Sequence, residues 1–268
     1  QELYAGLEES YEQTLDARVY AWSRQEPSLD VTLAQALHDH AVDDCLRDFA
    51  AHHRLVGVMG GHLLGRDGSG FADAARLGRE LASTGLTVAS GGGPGAMEAA
   101  NLGAYLSAHE PEVLDEALSV LAGAPEFRST TAWARAGFEV LKRWPDGTRS
   151  VGIPTWHYGH EPPNVFAADI AKYFKNAIRE DILLHACAAG IVFLPGAAGT
   201  VQEVFQDACE NYYADPSSVA PMVLVGRRHW TETLPVWPLL ESLARDRAMA
   251  GAVHLVDDLA EVRPLLAR

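Results

Sequence analysis

The chain has 268 residues, 48% hydrophobic, 8% aromatic and 21% charged, which excludes disordered, collagen-like and disulfide-scaffold classes. Acidic residues outnumber basic ones 36 to 21, a formal net charge of −15; that field repels phosphate backbones and anionic lipid, so no nucleic-acid or membrane partner is expected. Three cysteines, Cys45, Cys187 and Cys209, lie far apart without a CxxC pair, which points to a reducing, cytoplasmic location rather than a zinc finger or disulfide framework.

The opening QELYAGLEESYEQ is acidic and amphipathic, lacks a basic n-region and a small-residue cleavage site, and is not read as a signal peptide. No run of about 18 apolar residues occurs that would span a membrane. Leu3, Leu7, Tyr11, Leu15, Val19 and Trp22, at spacings of three and four, predict one helix over residues 2–24, broken at Pro27 and Ser28. Leu33, Leu37, Leu46 and Phe49 mark a second. Residues 1–54 therefore read as an N-terminal helical extension, either capping the remainder or packing on a second subunit, with a homodimer or larger homo-oligomer expected.

From Leu55 the texture changes. LVGVM reads as a buried strand, and residues 71–84 as a helix with Gly85 as its C-cap. LTVAS (86–90) is a second strand, running into GGGPG and the helix AMEAANLGAYL. Residues 107–149 look helical but irregular, with Trp133 and Trp144 as packing residues. SVGIP (150–154) is a short strand, followed by the loop TWHYGHEPPN and a long helix over 165–188. GIVFL (190–194), PMVLVG (221–226) and AVHLV (252–256) complete the strands. Short apolar strands alternating with helices indicate an α/β fold, a doubly wound parallel sheet with helices on both faces, over residues 55–268. Cys187 and Cys209 fall in predicted helices as buried, inert thiols.

Two glycine-rich turns share one layout, strand before and helix after: SGGGPGAMEAAN at 90–101 and LPGAAGTVQEVFQ at 194–206. Glycine admits close backbone approach, and a helix N-terminus offers free N–H groups and partial positive charge to a phosphate. At the carboxyl ends of strands two such turns suggest one Rossmann-like, nucleotide-binding crevice. The first turn also satisfies GxGxx[GA] through Gly91, Gly93 and Ala96, but no strand ends in an acidic residue about 20 positions on, which argues against a dinucleotide. Neither turn carries the Gly-Lys-[Ser/Thr] of a Walker A loop.

GGGPGAMEAAN and PGAAGTVQE resemble the paired motifs GGGxxGxM and PGGxGTxxE of the LOG family, the cytokinin-activating phosphoribohydrolases, many of which carry the label "possible lysine decarboxylase". IPTWHYGHEPPNVFA and AKYFKNAIRED resemble its longer bacterial branch, the nucleotide 5′-monophosphate nucleosidases. The resemblance covers roughly residues 55–256. It implies hydrolysis of the N-glycosidic bond of a nucleoside 5′-monophosphate to free base and ribose 5-phosphate. It assigns a catalytic role to Glu203 and to Arg179, which sits one residue further from the proline than the pattern. Phosphate or nucleotide binding falls to Gly196, Gly199 and Thr200 of the second turn and to Gly91, Gly92, Gly93, Gly95 and Met97 of the first. Ala197 replaces the second glycine of PGG and Glu180 replaces a lysine after the arginine; both bear on substrate choice more than on reaction type.

The chemistry agrees. An oxocarbenium-like transition state wants a nearby carboxylate to stabilise charge or activate water, and Glu203 stands three residues after Thr200 on the helix that would hold phosphate. Arg179 would bind phosphate or the leaving base. Glu98 and Asn101, one turn apart, either hydrogen-bond ribose hydroxyls or anchor their turn. Ser90, Gly60, Gly61 and His62 are plausible crevice wall. The alternative is a non-catalytic binding or carrier protein for a phosphorylated nucleotide-like ligand, since molybdenum-cofactor carriers are similar to this family. Pyridoxal phosphate chemistry needs a Schiff-base lysine, and Lys142, Lys172 and Lys175 all lie outside the glycine-rich strand ends; no cofactor is expected. His157, His160 and Glu161 read as lid rather than metal ligands, because the flanking glycine and prolines exclude an HExxH helix. His40 and Asp44, one helical turn apart, read as an exposed pair.

Overall fold

In the computed structural model, which describes residues 2–7, 9–26, 28–127, 129–158 and 162–266, the sheet strands are short and largely apolar on both faces. α1 (Leu15–Ser23) and α2 (Leu29–His52) precede β1 (Leu55–Met59), which is buried at every position. Next come α3 (Ser69–Ser83), β2 (Thr87–Ser90), α4 (Ala96–Tyr105), α5 (Glu112–Leu121) and α6 (Thr130–Arg143). β3 (Val151–Gly152), β4 (Asp169–Ile170), α7 (Asn176–Ala186), β5 (Ile191–Phe193) and α8 (Ala198–Tyr213) follow. β6 (Met222–Val225), α9 (Trp237–Ala244), β7 (Val253–Val256) and α10 (Val262–Leu266) close the described order.

Seven parallel strands pair in the order β4-β3-β2-β1-β5-β6-β7. The chain starts at β1, builds outward through β2, then crosses back to place β5 on the other side, so Gly57 is paired with Ala89 and with Ile191. That reversal makes the carboxyl ends of β1, β2 and β5 the switch point where ligands of doubly wound sheets bind. Alternating side chains feed two cores. Val56 and Val58 enter one, with α3, α4, α5 and α6. Leu55 and Met59 enter the other, with α2, α7, α8 and α9.

The parallel α/β expectation holds, with corrections. Residues 2–24 do not make one helix: the chain forms short 3₁₀ turns at Glu2–Tyr4 and Tyr11–Gln13 before α1. Gly6 at φ +80° interrupts the first turn, and extended backbone at Ser10 and Thr14 separates the rest. Pro27 lies outside the described residues. The helix expected over 165–188 begins only at Asn176, because residues 169–173 pair in parallel with β3 and its extension, Thr155 opposite Tyr173. Cys187 is buried at the end of α7, but Cys209 is exposed. Gly85 follows α3 with φ +84°, in keeping with a helix C-terminus.

Candidate functional site

The end of β1 runs into Gly60 and Gly61, and Gly61 ties the two turns together. Its N–H donates to the Pro195 carbonyl at 3.1 Å, and its own carbonyl accepts from Ala96 N–H at 3.1 Å. Gly95, at φ +71°, lies so close that a Cβ there would collide with the Gly61 carbonyl. Glycine at that position is a steric requirement.

Neither following helix is capped by a side chain at its N-terminus. The first intrahelical bonds are Ala99 N–H to Gly95 O and Val201 N–H to Ala197 O. That leaves the N–H groups of Met97 and Glu98, and of Ala198, Gly199 and Thr200, without a helical acceptor. Two helix dipoles therefore point positive ends at the switch point. In the second turn a Cβ on Gly196 would collide with the Thr200 hydroxyl, whereas a Cβ on Gly199 would face open space. Ala197 stands at a negative φ of −116°, so the second turn does not demand there the left-handed backbone that favours glycine.

α7 brings the charged groups. Arg179 is 6% exposed, and its Nη1 lies 3.4 Å from where a Gly91 Cβ would be, so the guanidinium rests against the first turn. It donates to Glu180 at 3.2 Å and to Asn176 Oδ1 at 2.8 Å, while Nε has no partner among the described residues. The Asn176 amide donates to the hydroxyl of the exposed Tyr158 at 2.9 Å. Glu203, from α8, meets this group. Burial, the Glu180 charge and a hydrogen bond with Glu180 push its carboxyl up to about 8, against the Arg179 charge. Glu203 thus stands beside a second carboxyl group, which together with burial favours its protonated form.

The described structure thus collects Gly60, Gly61, Gly91, Gly92, Gly93, Gly95 and Met97 at one sheet edge with Gly196, Gly199, Thr200, Arg179 and Glu203. Ser90, Glu98 and Asn101 are fully buried behind it. Ser90 donates to Asn101 Oδ1 at 2.6 Å and accepts from Gly92 N–H, and Asn101 also bonds Ser150 and Asn164. Glu98 is taken by Arg66, whose guanidinium stacks 3.3 Å from the Trp133 ring. Of the two roles open to Glu98 and Asn101, anchoring the turn is the one their contacts perform. Asn176, Tyr158 and the coupling of Glu180 to Glu203 were not singled out from sequence. The three-residue interval between Asn176 and Arg179 on one helix was the available signal.

A cavity of about 910 Å³ lies elsewhere, between α2, α7 and the strand starts at Leu55 and Pro221. No turn residue lines it, and its mixed lining of Asp43, Arg47, Asp181 and His185 has no convergent chemistry. The free backbone donors and Arg179 lie at the glycine turns, outside this cavity. His40, Asp43 and Asp44 could hold a metal ion by position, but Arg47 pairs with both aspartates. His157 is exposed, and His160 and Glu161 lie outside the described residues.

No protein-family model and no curated protein sequence matches the chain. Solved structures do share the fold. The structural-genomics target TM1055 is similar at 19% identity, with a TM-score of 0.50, over 80% of this chain and 98% of its own. The molybdenum cofactor binding protein of the phototrophic bacterium Rippkaea orientalis is 16% identical, TM-score 0.49, over 80% of this chain and 95% of its own. The molybdenum cofactor carrier protein of Chlamydomonas reinhardtii is 20% identical, TM-score 0.47, over 81% and 99%. At 19% identity the likeness to TM1055 is one of fold alone.

Proposed function

We propose that the crevice binds a phosphorylated, nucleotide-like small molecule. The observation that carries this reading is Arg179, a buried cation with an unsatisfied Nε, set against a glycine turn between two uncapped helix N-termini. In a chain of net charge −15, an anion can be held only by such local devices. The phosphate would take the N–H groups around Gly199 and Thr200, and Arg179 a second anionic or carbonyl oxygen. Holding the ligand without turnover fits this arrangement. Two of the similar structures are described as binding or carrier proteins, of the molybdenum cofactor in their case.

Cleavage is the second reading, and the pair Glu180 and Glu203 favours it. Two neighbouring carboxyl groups, one keeping its proton to about 8 and one paired with Arg179, match what N-glycosidic hydrolysis of a nucleoside 5′-monophosphate needs. Glu203 would protonate the departing base, the Glu180 carboxylate would face the cationic ribose, and water would add to the anomeric carbon and return its proton to Glu203. A nucleoside monophosphate panel, each compared with its nucleoside, tests both readings. Melting-temperature shifts report binding, and free base plus ribose 5-phosphate report cleavage. Binding without product supports the holding role; product supports the hydrolase. Equal responses to nucleotide and nucleoside overturn the phosphate assignment.

A further inference from the structure

The two residues ahead of α7 give their backbone N–H groups to one carboxylate from α2. Asp39, 3% exposed, accepts Phe174 N–H on Oδ1 at 2.9 Å and Lys175 N–H on Oδ2 at 3.0 Å. Lys175 is the N-cap of α7 and makes no side-chain cap of its own, so the anion that complements this helix terminus comes from another element. His38 Nδ1 stands 3.1 Å from Asp39 Oδ1, and its ring packs edge-on against Trp156 and Phe174. Trp156 stacks on Phe174 with centroids 4.5 Å apart. Asp16 of α1 fixes the other end of the segment, accepting Trp156 Nε1 at 2.8 Å, Lys172 Nζ at 2.7 Å and the Tyr11 hydroxyl at 3.0 Å.

Arg179 is one turn into α7, and its N–H makes the first intrahelical bond, to the Lys175 carbonyl at 3.1 Å. Whatever holds Lys175 therefore sets the origin from which the Arg179 side chain reaches Gly91. A carboxylate that takes both preceding N–H groups fixes that peptide in position and orientation, which a single hydrogen bond cannot do. We propose that Asp39 is the positioning residue for Arg179, so that the N-terminal extension acts on the anion site through α7. The inference rests on the reading of the crevice as an anion site.

The test compares wild type with Asp39→Asn, which keeps one accepting oxygen, and Asp39→Ala, which keeps none. Backbone amide exchange is followed at Phe174, Lys175, Arg179 and Glu180, with β1 and β5 amides as internal reference. The expected result is exchange about 10-fold faster or more at the four amides in the asparagine variant, with the reference amides unmoved. AMP affinity should fall about 10-fold, while the melting temperature drops only a few degrees. Should the alanine variant fail to fold, the asparagine variant decides. Unchanged protection at the four amides, or loosening spread evenly over all strands, overturns the proposal. Wild-type protein that binds no member of the nucleoside monophosphate panel would remove the anion-site reading, and the exchange comparison would still decide the role of Asp39 in ordering α7.

Discussion

Glu203 pairs with Glu180, and burial together with that neighbouring charge pushes its carboxyl up to about 8. The folded state thus binds a proton that the unfolded chain releases near the ordinary glutamate value of 4.5. Stability from this group is complete below about pH 4.5 and is lost as pH rises through about 8. Glu203→Gln removes the titration. The stability of the variant relative to wild type should therefore increase with pH, by about 1 kcal/mol or more between pH 5 and pH 8. Denaturant melts at several pH values check it, and a pH-independent difference would refute it.

The same substitution bears on cleavage. If Glu203 gives its proton to the leaving base, kcat/KM should fall as pH rises through about 8. Glu203→Gln should lower single-turnover rates about 10²-fold or more while nucleotide affinity stays nearly constant. An intact rate in the folded variant would leave Glu203 without a catalytic part and leave the holding role in place.

Gly199 separates stability from binding. A methyl group there meets open space, and alanine is the better helix former by about 0.5–1 kcal/mol. Gly199→Ala should raise the melting temperature slightly and weaken nucleotide binding about 10-fold, because the methyl occupies the proposed phosphate position. Calorimetry on the one variant reads both, and unweakened binding would move the phosphate elsewhere.

Arg66 and Glu98 test whether the first turn is held from behind. Both side chains are completely buried and burial raises the Glu98 carboxyl pKa, against the Arg66 charge. Arg66→Met alone should cost about 3–5 kcal/mol, while Arg66→Met with Glu98→Leu should recover most of it. Chemical denaturation of the single and double variants measures this. A mild effect of the single change would deny the pair its anchoring role.

Leu29, Leu33 and Leu37 line one face of α2, and all three are exposed. Their four-residue spacing makes a single apolar stripe, and self-association through it is the expected outcome. Light scattering at micromolar concentration should give a dimer or larger, and Leu33→Glu with Leu37→Glu should give a monomer. A monomeric parent chain would end that expectation.

The strands β1, β2, β5 and β6 were legible because both faces are buried, which forces unbroken apolar runs such as LVGVM and MVLV. β4 was not: its two residues, Asp169 and Ile170, are only half-buried at the sheet edge, and nothing local distinguishes them from the helix that follows. The glycine turns were legible because Gly95 has no substitute at that separation from Gly61. The burial of Glu98 was not, since its partner Arg66 lies 32 positions away. The upward shift of the Glu203 carboxyl was equally out of reach, because it depends on where α7 sets Glu180.

The bonds from Asp16 to Lys172 and from Asp39 to Phe174 close separations of 156 and 135 positions along the chain. The pairing of β1 with β2 and the crossing of α3 over α4 involve much nearer neighbours. During synthesis the first glycine turn can be assembled long before α7 exists, whereas the approach to Arg179 can be tied down only after residue 175 has emerged and found the chain's own beginning. Loop closure of that length is entropically costly and slow. The contacts that tie α7 to the N-terminal helices are therefore the slow ones to form, and the local pairing of β1 with β2 can precede them.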